Sequence, residues 1–92
     1  MNNKQLIENH AKANGLTLKL YDENLGQYTH EQLQPLLDSI TNRLGDVQLC
    51  EHGVVEVVIN ANNELYLNLM YKGFYDYNYV AKRPLFSIKG KY

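Results

Sequence analysis

The chain has 92 residues, enough for one domain but not for a second domain with its own core. Hydrophobic residues make up 45% of the sequence and charged residues 21%, which is typical of a globular domain and excludes a wholly disordered chain. The net charge of −1 favours neither a polyanionic nor a polycationic partner.

The charges are distributed unevenly along the chain. Residues 1–21 carry a net charge of +2, residues 22–76 carry −7 and residues 77–92 carry +4. Three interpretations stay open: the acidic middle and the basic end attract each other within the fold, they form faces for different partners, or they are two halves of a contact between copies.

The cysteine count and the N-terminus indicate the cellular location. Cys50 is the only cysteine, so no internal disulfide can form, and Met1–Gln5 leads into a polar segment rather than a secretory apolar stretch. The sequence has no run of about 20 apolar residues that could span a membrane. We therefore expect a cytoplasmic protein without a membrane partner.

The first predicted element is a helix from about Asn3 to Asn14. Asn2 is the predicted N-cap, with Gln5 three residues later, and Gly15 follows where a left-handed residue commonly ends a helix. The apolar face of this helix is thin, so we expect the helix to be peripheral. Its members are Leu6, Ile7, Ala11 and Ala13.

The next segment, Leu16–Tyr21, has the alternating pattern of a half-buried strand. Its leucines, at positions 16, 18 and 20, would all lie on one face because successive side chains of a strand point to opposite sides. Asp22–Gly26 contains the polar residues and the glycine of a turn, which predicts the end of the strand.

The second predicted helix follows the capping-box pair Thr29 and Gln32. Apolar residues recur at helical spacing from Leu33 to Leu44, and Gly45 is the predicted end of the helix. Pro35 lies one turn inside, where its ring clashes with the carbonyl of the preceding turn. We prefer a helix that begins after Thr29 and kinks at Pro35 over a helix that begins at Pro35.

A β-hairpin is predicted in the centre of the chain. Val54–Asn60 and Glu64–Tyr71 have strand character and flank the loop Ala61–Asn63, in which Asn63 suits the left-handed conformation. The hairpin is the centre of a predicted antiparallel meander that begins at Val47.

The meander continues beyond the hairpin. After a turn at Lys72–Gly73, Tyr75–Ala81 is predicted as a strand, and Pro84 confines Leu85–Lys89 to an edge strand. The predicted fold is therefore α+β: two helices in the N-terminal half pack on one face of a four- to six-stranded antiparallel meander.

Strand register separates two faces of this sheet. Val55, Val57 and Ile59 would lie on the same side as the leucines at 65, 67 and 69, and this apolar side packs under the helices. On the opposite side Glu56 shares a polar row with Asn68, which indicates solvent. The remaining residues of that side are more apolar than water requires, so we predict that they bind a partner: Val54, Val58, Tyr66, Met70 and Val80.

Side chains capable of catalysis are few. Cys50 and His52 would lie on one face of an extended segment, as in a metal site or a thiol–imidazole nucleophile, but the spacing is unspecific and no further ligands follow at recognisable spacing. A half-buried thiol and a turn histidine are the preferred interpretation, and His10 and His30 are predicted to be solvated. We predict no cofactor and no metal, with a thiol-dependent enzyme or ligand-binding protein around Cys50 as one alternative.

Nucleic-acid binding is another alternative. The chain has eight tyrosines, and Lys72–Tyr79 partly matches the RNA-recognition-motif signature, but Asp76 stands where that motif has a stacking aromatic residue. Tyr75, Tyr77 and Tyr79 with the basic tail Lys89–Tyr92 would contact a single strand, although the tail is more simply explained as frayed.

We therefore predict a non-catalytic interaction module. Such a protein would act as an adaptor or as an inhibitor of a larger protein, and its partner would be another protein or its own copy. The contact surface would be the side of the sheet that the helices do not cover.

Overall fold

The order of helices and strands identifies the fold class. In the computed structural model, residues 1–45, 47–49, 53–71, 86–87 and 90–91 are described. The α+β class is confirmed. The elements are α1 (Asn3–Ala13), β1 (Thr17–Tyr21), a 3₁₀ turn (Glu23–Gln27), α2 (His30–Thr41), β2 (Leu44–Gly45), β3 (Val47–Leu49), β4 (Gly53–Ile59), β5 (Glu64–Tyr71), β6 (Phe86–Ser87) and β7 (Gly90–Lys91).

The main sheet is mixed, with the strand order β1-β5-β4-β3-β6. β1 pairs with β5 in parallel, whereas the other neighbouring strands pair antiparallel. The predicted all-antiparallel meander is therefore wrong. The chain passes through α2 between β1 and β5, and such a crossover lets two strands run in the same direction. Side-chain alternation indicates the face of a strand but carries no information about its direction.

A separate two-stranded sheet pairs β2, which follows α2, with β7 near the C-terminus. Leu44–Gly45 pairs antiparallel with Gly90–Lys91. The prediction of a frayed tail is therefore wrong at Gly90–Lys91, because backbone hydrogen bonds to a distant segment fix these residues.

α1 begins and ends as the sequence predicts, within one residue. Asn2 Oδ1 accepts a hydrogen bond from the Gln5 amide at 2.8 Å, Gln5 Oε1 accepts one from the Asn2 amide at 3.2 Å, and Gly15 has φ +75°. The helix is not peripheral, however. Ile7 and Ala11 are fully buried, because α1 packs against β1, α2 and the 3₁₀ turn.

α2 begins after Thr29, and Pro35 lies inside it. The predicted start is confirmed by the capping box, in which Thr29 Oγ1 accepts from the Gln32 amide at 3.1 Å. The predicted end at Gly45 is wrong, because the helix ends at Thr41. Asn42 caps the Asp38 carbonyl through both its backbone amide and its side chain, and Arg43 then takes a left-handed φ of 54°.

The β4–β5 hairpin has the predicted register. Val55, Val57 and Ile59 pair with Leu69, Leu67 and Leu65 in that order. Asn63, in the loop, has φ 60°, and its amide donates to the Asn60 carbonyl at 3.0 Å. The left-handed conformation predicted for Asn63 is therefore confirmed.

One core joins both helices to one face of the sheet. We call this the inner face; its fully buried members are Val47, Val55, Val57, Leu65 and Leu67. They form a single cluster with buried residues of the helices, namely Ile7, Ala11, Leu33, Leu36, Leu37 and Ile40. Both helices therefore pack on the inner face and leave the opposite side of the sheet without a helix among the described residues.

Candidate protein-binding face

The side of the sheet opposite the helices carries half-buried side chains in matched rows. Glu56 pairs with Asn68, and Val58 pairs with Tyr66, as the sequence predicts. At the next pair of residues on this side, the backbone amide of Asn60 donates a hydrogen bond to the backbone carbonyl of Glu64 at 3.1 Å. We call this side the outer face. It also includes two residues of the neighbouring strand β1, Lys19 and Leu20. Its members from the hairpin are Glu56, Val58, Asn60, Glu64, Tyr66 and Asn68.

A β-bulge in β1 brings a leucine to the outer face. Leu18 pairs with Leu65 and Leu20 pairs with Tyr66, so Lys19 is an extra residue between two consecutive pairs. A bulge shifts the alternation by one residue. Leu18 therefore packs against the core, whereas Leu20 is 44% exposed. The prediction that all the leucines of this strand share one face is wrong for Leu20.

The bulge completes an apolar row across the middle of the outer face. Leu20 is the register partner of Tyr66 on β5, and Tyr66 is the register partner of Val58 on β4. Neighbouring strands lie about 4.8 Å apart, so the row extends about 10 Å across β1, β5 and β4. We call these residues the apolar row. Sequence patterning found Val58 and Tyr66, but it missed Leu20 because the alternation of β1 gives no sign of the bulge.

A polar network at one end of the outer face holds the Tyr66 side chain. Glu64 Oε1 accepts hydrogen bonds from Asn60 Nδ2 at 2.8 Å and from the Tyr66 hydroxyl at 3.5 Å, and Lys19 Nζ lies 3.5 Å from Glu64 Oε2. The Asn60 hydrogen bond lowers the pKa of the Glu64 carboxyl, desolvation opposes this effect, and the Lys19 charge adds to it. An ionised Glu64 therefore fixes the polar end of Tyr66 while the ring stays in the apolar row.

The other predicted partner-binding residues are described less completely. Val54 and Met70 are register partners two positions beyond Val58 and Tyr66, and only their backbones are described. Val80 lies outside the described residues. Of the five predicted residues, the structure therefore brings Val58 and Tyr66 together with side chains in place.

His10 joins the two helices. Its Nε2 lies 2.9 Å from the Leu37 carbonyl oxygen and 2.8 Å from Thr41 Oγ1, and because a carbonyl can only accept, Nε2 carries a hydrogen in this arrangement. The prediction of a merely solvated His10 is wrong, since sequence spacing does not reveal a neighbour on the other helix. His30 is exposed, as predicted.

The alternative functions depend on other parts of the chain. Cys50, His52, and the tyrosines at 75, 77 and 79 lie outside the described residues, so these hypotheses stay predictions. Among the described residues, no group of three or more His, Cys, Asp and Glu side chains is arranged to hold a metal ion. Within the same part of the chain, no helix combines the length and apolar character needed to cross a membrane.

Comparison with known proteins gives no relative. No family model matches the chain, and neither the curated proteins nor the solved structures contain a significant match. The assignment of a function therefore depends on the geometry of the outer face.

Proposed function

We propose that this protein is a small non-catalytic interaction module that binds another protein through the outer face of its sheet. The observation that carries this proposal is the apolar row, which joins Leu20, Tyr66 and Val58 on the side of the sheet opposite both helices. Apolar side chains that cross three strands on a face that neither α1 nor α2 covers lose unfavourable contact with water when a partner covers them. An adaptor and an inhibitor of a larger protein are both compatible with such a surface.

The arrangement of the outer face supports this proposal. The apolar row is in the middle, and polar residues lie on both of its sides: Glu56 and Asn68 on one, Asn60 and Glu64 on the other. Protein interfaces commonly have an apolar centre within a polar rim, and tyrosine is among the residues that contribute most to binding energy.

The position of Tyr66 lowers the cost of binding. Its hydroxyl lies 3.5 Å from Glu64 Oε1, a long hydrogen bond that favours this orientation of the ring only weakly, so most of the low cost comes from the side chain itself. A tyrosine also presents a large apolar area with only two side-chain torsions, which limits the entropic cost further.

A photo-crosslinking residue at position 66 tests the proposal directly. The side chain is replaced by a benzophenone-bearing amino acid in the full chain, which is irradiated in an extract of the source cells. The matched control carries the same residue at Gln34, which is exposed on α2 on the opposite side of the sheet. We expect a protein adduct from position 66, with either another protein or a second copy of the chain, and none from position 34. Equal labelling from both positions would contradict the proposal.

Two substitutions of the same residue separate the ring from its hydroxyl. Tyr66→Phe keeps the apolar ring and loses only the long 3.5 Å hydrogen bond to Glu64, so it should retain the partner. Tyr66→Arg places a charge in the centre of the apolar row and should abolish capture of the same partner. Circular dichroism and thermal unfolding of both variants show whether the domain stays folded. Undiminished capture by a folded Tyr66→Arg variant would refute the proposal.

A further inference from the structure

The outer face is complementary to itself. We infer that it binds a second copy of the chain, in a dimer whose two-fold axis runs along the apolar row. This inference rests on the proposed function, because it names the partner of the same surface. The observation behind it is the order of carboxylates and amides on the two central strands of the outer face.

Each of these strands carries one carboxylate and one amide, on opposite sides of the apolar row. Glu56 on β4 and Asn60, the residue directly after β4, flank Val58, and on β5 the flanking residues of Tyr66 are Asn68 and Glu64. Because the strands are antiparallel, Glu56 lies beside Asn68 on one side of the row, and Asn60 lies beside Glu64 on the other.

A two-fold axis along the row exchanges these two sides. Glu56 then faces Asn60 of the second copy, and Glu64 faces Asn68 of the second copy. Each carboxylate therefore meets an amide, which can donate a hydrogen bond to it. The apolar row meets its own copy, with Tyr66 against Tyr66 at the centre.

The other arrangement with Tyr66 against Tyr66 at its centre is less favourable. Its axis would run along β5, parallel to the strands, and would place Glu64 against Glu64 and Asn68 against Asn68 of the second copy. Like charges brought together in a contact without water repel strongly and disfavour that arrangement. Among dimers centred on Tyr66, the pattern therefore selects the axis along the row, and the nearly aligned strands of this dimer fit the packing of two sheets about 10 Å apart.

The Lys19–Glu64 ion pair affects the cost of burying Glu64 in a contact between copies. Lys19 Nζ lies 3.5 Å from Glu64 Oε2, whereas Asn60 donates to Oε1. The negative charge of Glu64 therefore enters the contact with its counter-charge already present, and this lowers the cost of desolvation. The apolar row contributes three residues with described side chains to the centre of the contact, so we expect the dimer to dissociate in the micromolar range.

Substitution of Asn68 distinguishes the two orientations, because it changes the dissociation constant of the dimer in opposite directions. Asn68→Lys places an ammonium against Glu64 of the second copy if the axis follows the row, and the dissociation constant should fall about tenfold. If the axis instead runs along β5, two lysines meet and the dissociation constant should rise. Asn68→Glu should raise it about tenfold in the first case. Gln34→Lys, on the exposed side of α2, makes the same change in charge as Asn68→Lys and should have no effect.

The assay is sedimentation equilibrium of the purified full chain over a range of concentrations at low and high salt. Leu20→Glu provides a second variant for disruption, since Leu20 is 44% exposed and its replacement leaves the core intact. We expect a wild-type dimer, a monomeric Leu20→Glu variant and a tighter Asn68→Lys dimer. A wild-type monomer at all concentrations, a dimer that survives Leu20→Glu, or a dimer weakened by Asn68→Lys would each overturn the inference.

Failure of the dimer is distinguishable from failure of the proposed function. A monomeric protein that still forms a position-66 adduct with a different protein overturns the dimer and supports the interaction module. A monomeric protein without an adduct overturns both. An adduct whose mass is that of two chains, together with a tighter Asn68→Lys dimer, supports both.

Discussion

Replacement of Asn3 tests a buried contact between α1 and the 3₁₀ turn. Asn3 is the first residue of α1 and only 5% exposed, and its Nδ2 donates to the carbonyls of Leu25 at 2.9 Å, Gly26 at 3.2 Å and Tyr28. An amide nitrogen has two hydrogens, so one of them is shared between carbonyls. Asn3→Ala removes both donors and leaves the carbonyls without this partner.

The size of the loss follows from these hydrogen bonds. A buried hydrogen bond between neutral groups contributes about 1 kcal/mol net, and a buried acceptor left unpaired costs about 1–3 kcal/mol. With two donor hydrogens removed, the free energy of unfolding should fall by about 2–4 kcal/mol. Domains are typically stable by only about 5–15 kcal/mol, so this loss is large.

Asn3→Asp distinguishes the effect of these buried hydrogen bonds on stability from the effect of the helix dipole. An aspartate in the first turn of a helix normally stabilises it by about 0.3–1 kcal/mol through the helix dipole. Here the carboxylate would point at carbonyl oxygens and donate nothing. We therefore expect Asn3→Asp to be less stable at pH 7 than Asn3→Ala, in spite of the dipole.

Urea unfolding followed by circular dichroism measures these differences. Asn2→Ala is the matched control, because Asn2 is exposed and its loss removes only an N-cap, at a cost of about 1 kcal/mol. The reasoning is refuted if Asn3→Asp is as stable as the wild type, or if Asn3→Ala loses no more stability than Asn2→Ala.

Two further predictions concern single residues with unusual surroundings. Burial raises the pKa of Tyr21 to about 12, with Glu23 and Asp22 adding repulsion. An unfolded phenol ionises near pH 10, so this residue's contribution to stability is complete below about pH 10 and is lost as the pH rises to about 12. Tyr21→Phe should therefore show a shallower loss of stability than the wild type over that range in urea unfolding, and an equal or steeper loss would contradict the burial. Arg43 has φ 54°, where a β-carbon is strained by about 1 kcal/mol, so Arg43→Gly should raise the thermal midpoint by several degrees. An unchanged or lower midpoint would show that the strain at Arg43 does not exceed the conformational entropy that glycine gains in the unfolded chain.

Helix starts and the hairpin were predictable because they depend on neighbours in the chain. The capping boxes at Asn2 and Thr29 join residues three positions apart, and the left-handed Asn63 belongs to a loop of three residues between its strands. Register in β4 and β5 followed from alternation, because an error of one residue would have buried Glu56 among valines and leucines.

Part of the apolar row was also predictable, because it depends on neighbours within the hairpin. Val58 and Tyr66 are register partners on the two strands of one hairpin, and the length of the hairpin loop fixes that pairing. Leu20 reaches the outer face only through the bulge at Lys19, which the alternating sequence of β1 conceals. Asn3 likewise looked like an ordinary first residue of a helix, because its acceptors are more than 20 residues away in the sequence.

The sequence by itself determined the α+β class, the helix starts and the two faces of the hairpin, because hydrogen bonding and side-chain alternation act over a few residues. Only the tertiary structure decided the parallel pairing of β1 with β5, the bulge and the pairing of Gly90–Lys91 with Leu44–Gly45. These features depend on which distant backbone becomes a neighbour when the helices pack on the inner face. The apolar row across the outer face is a product of that assembly.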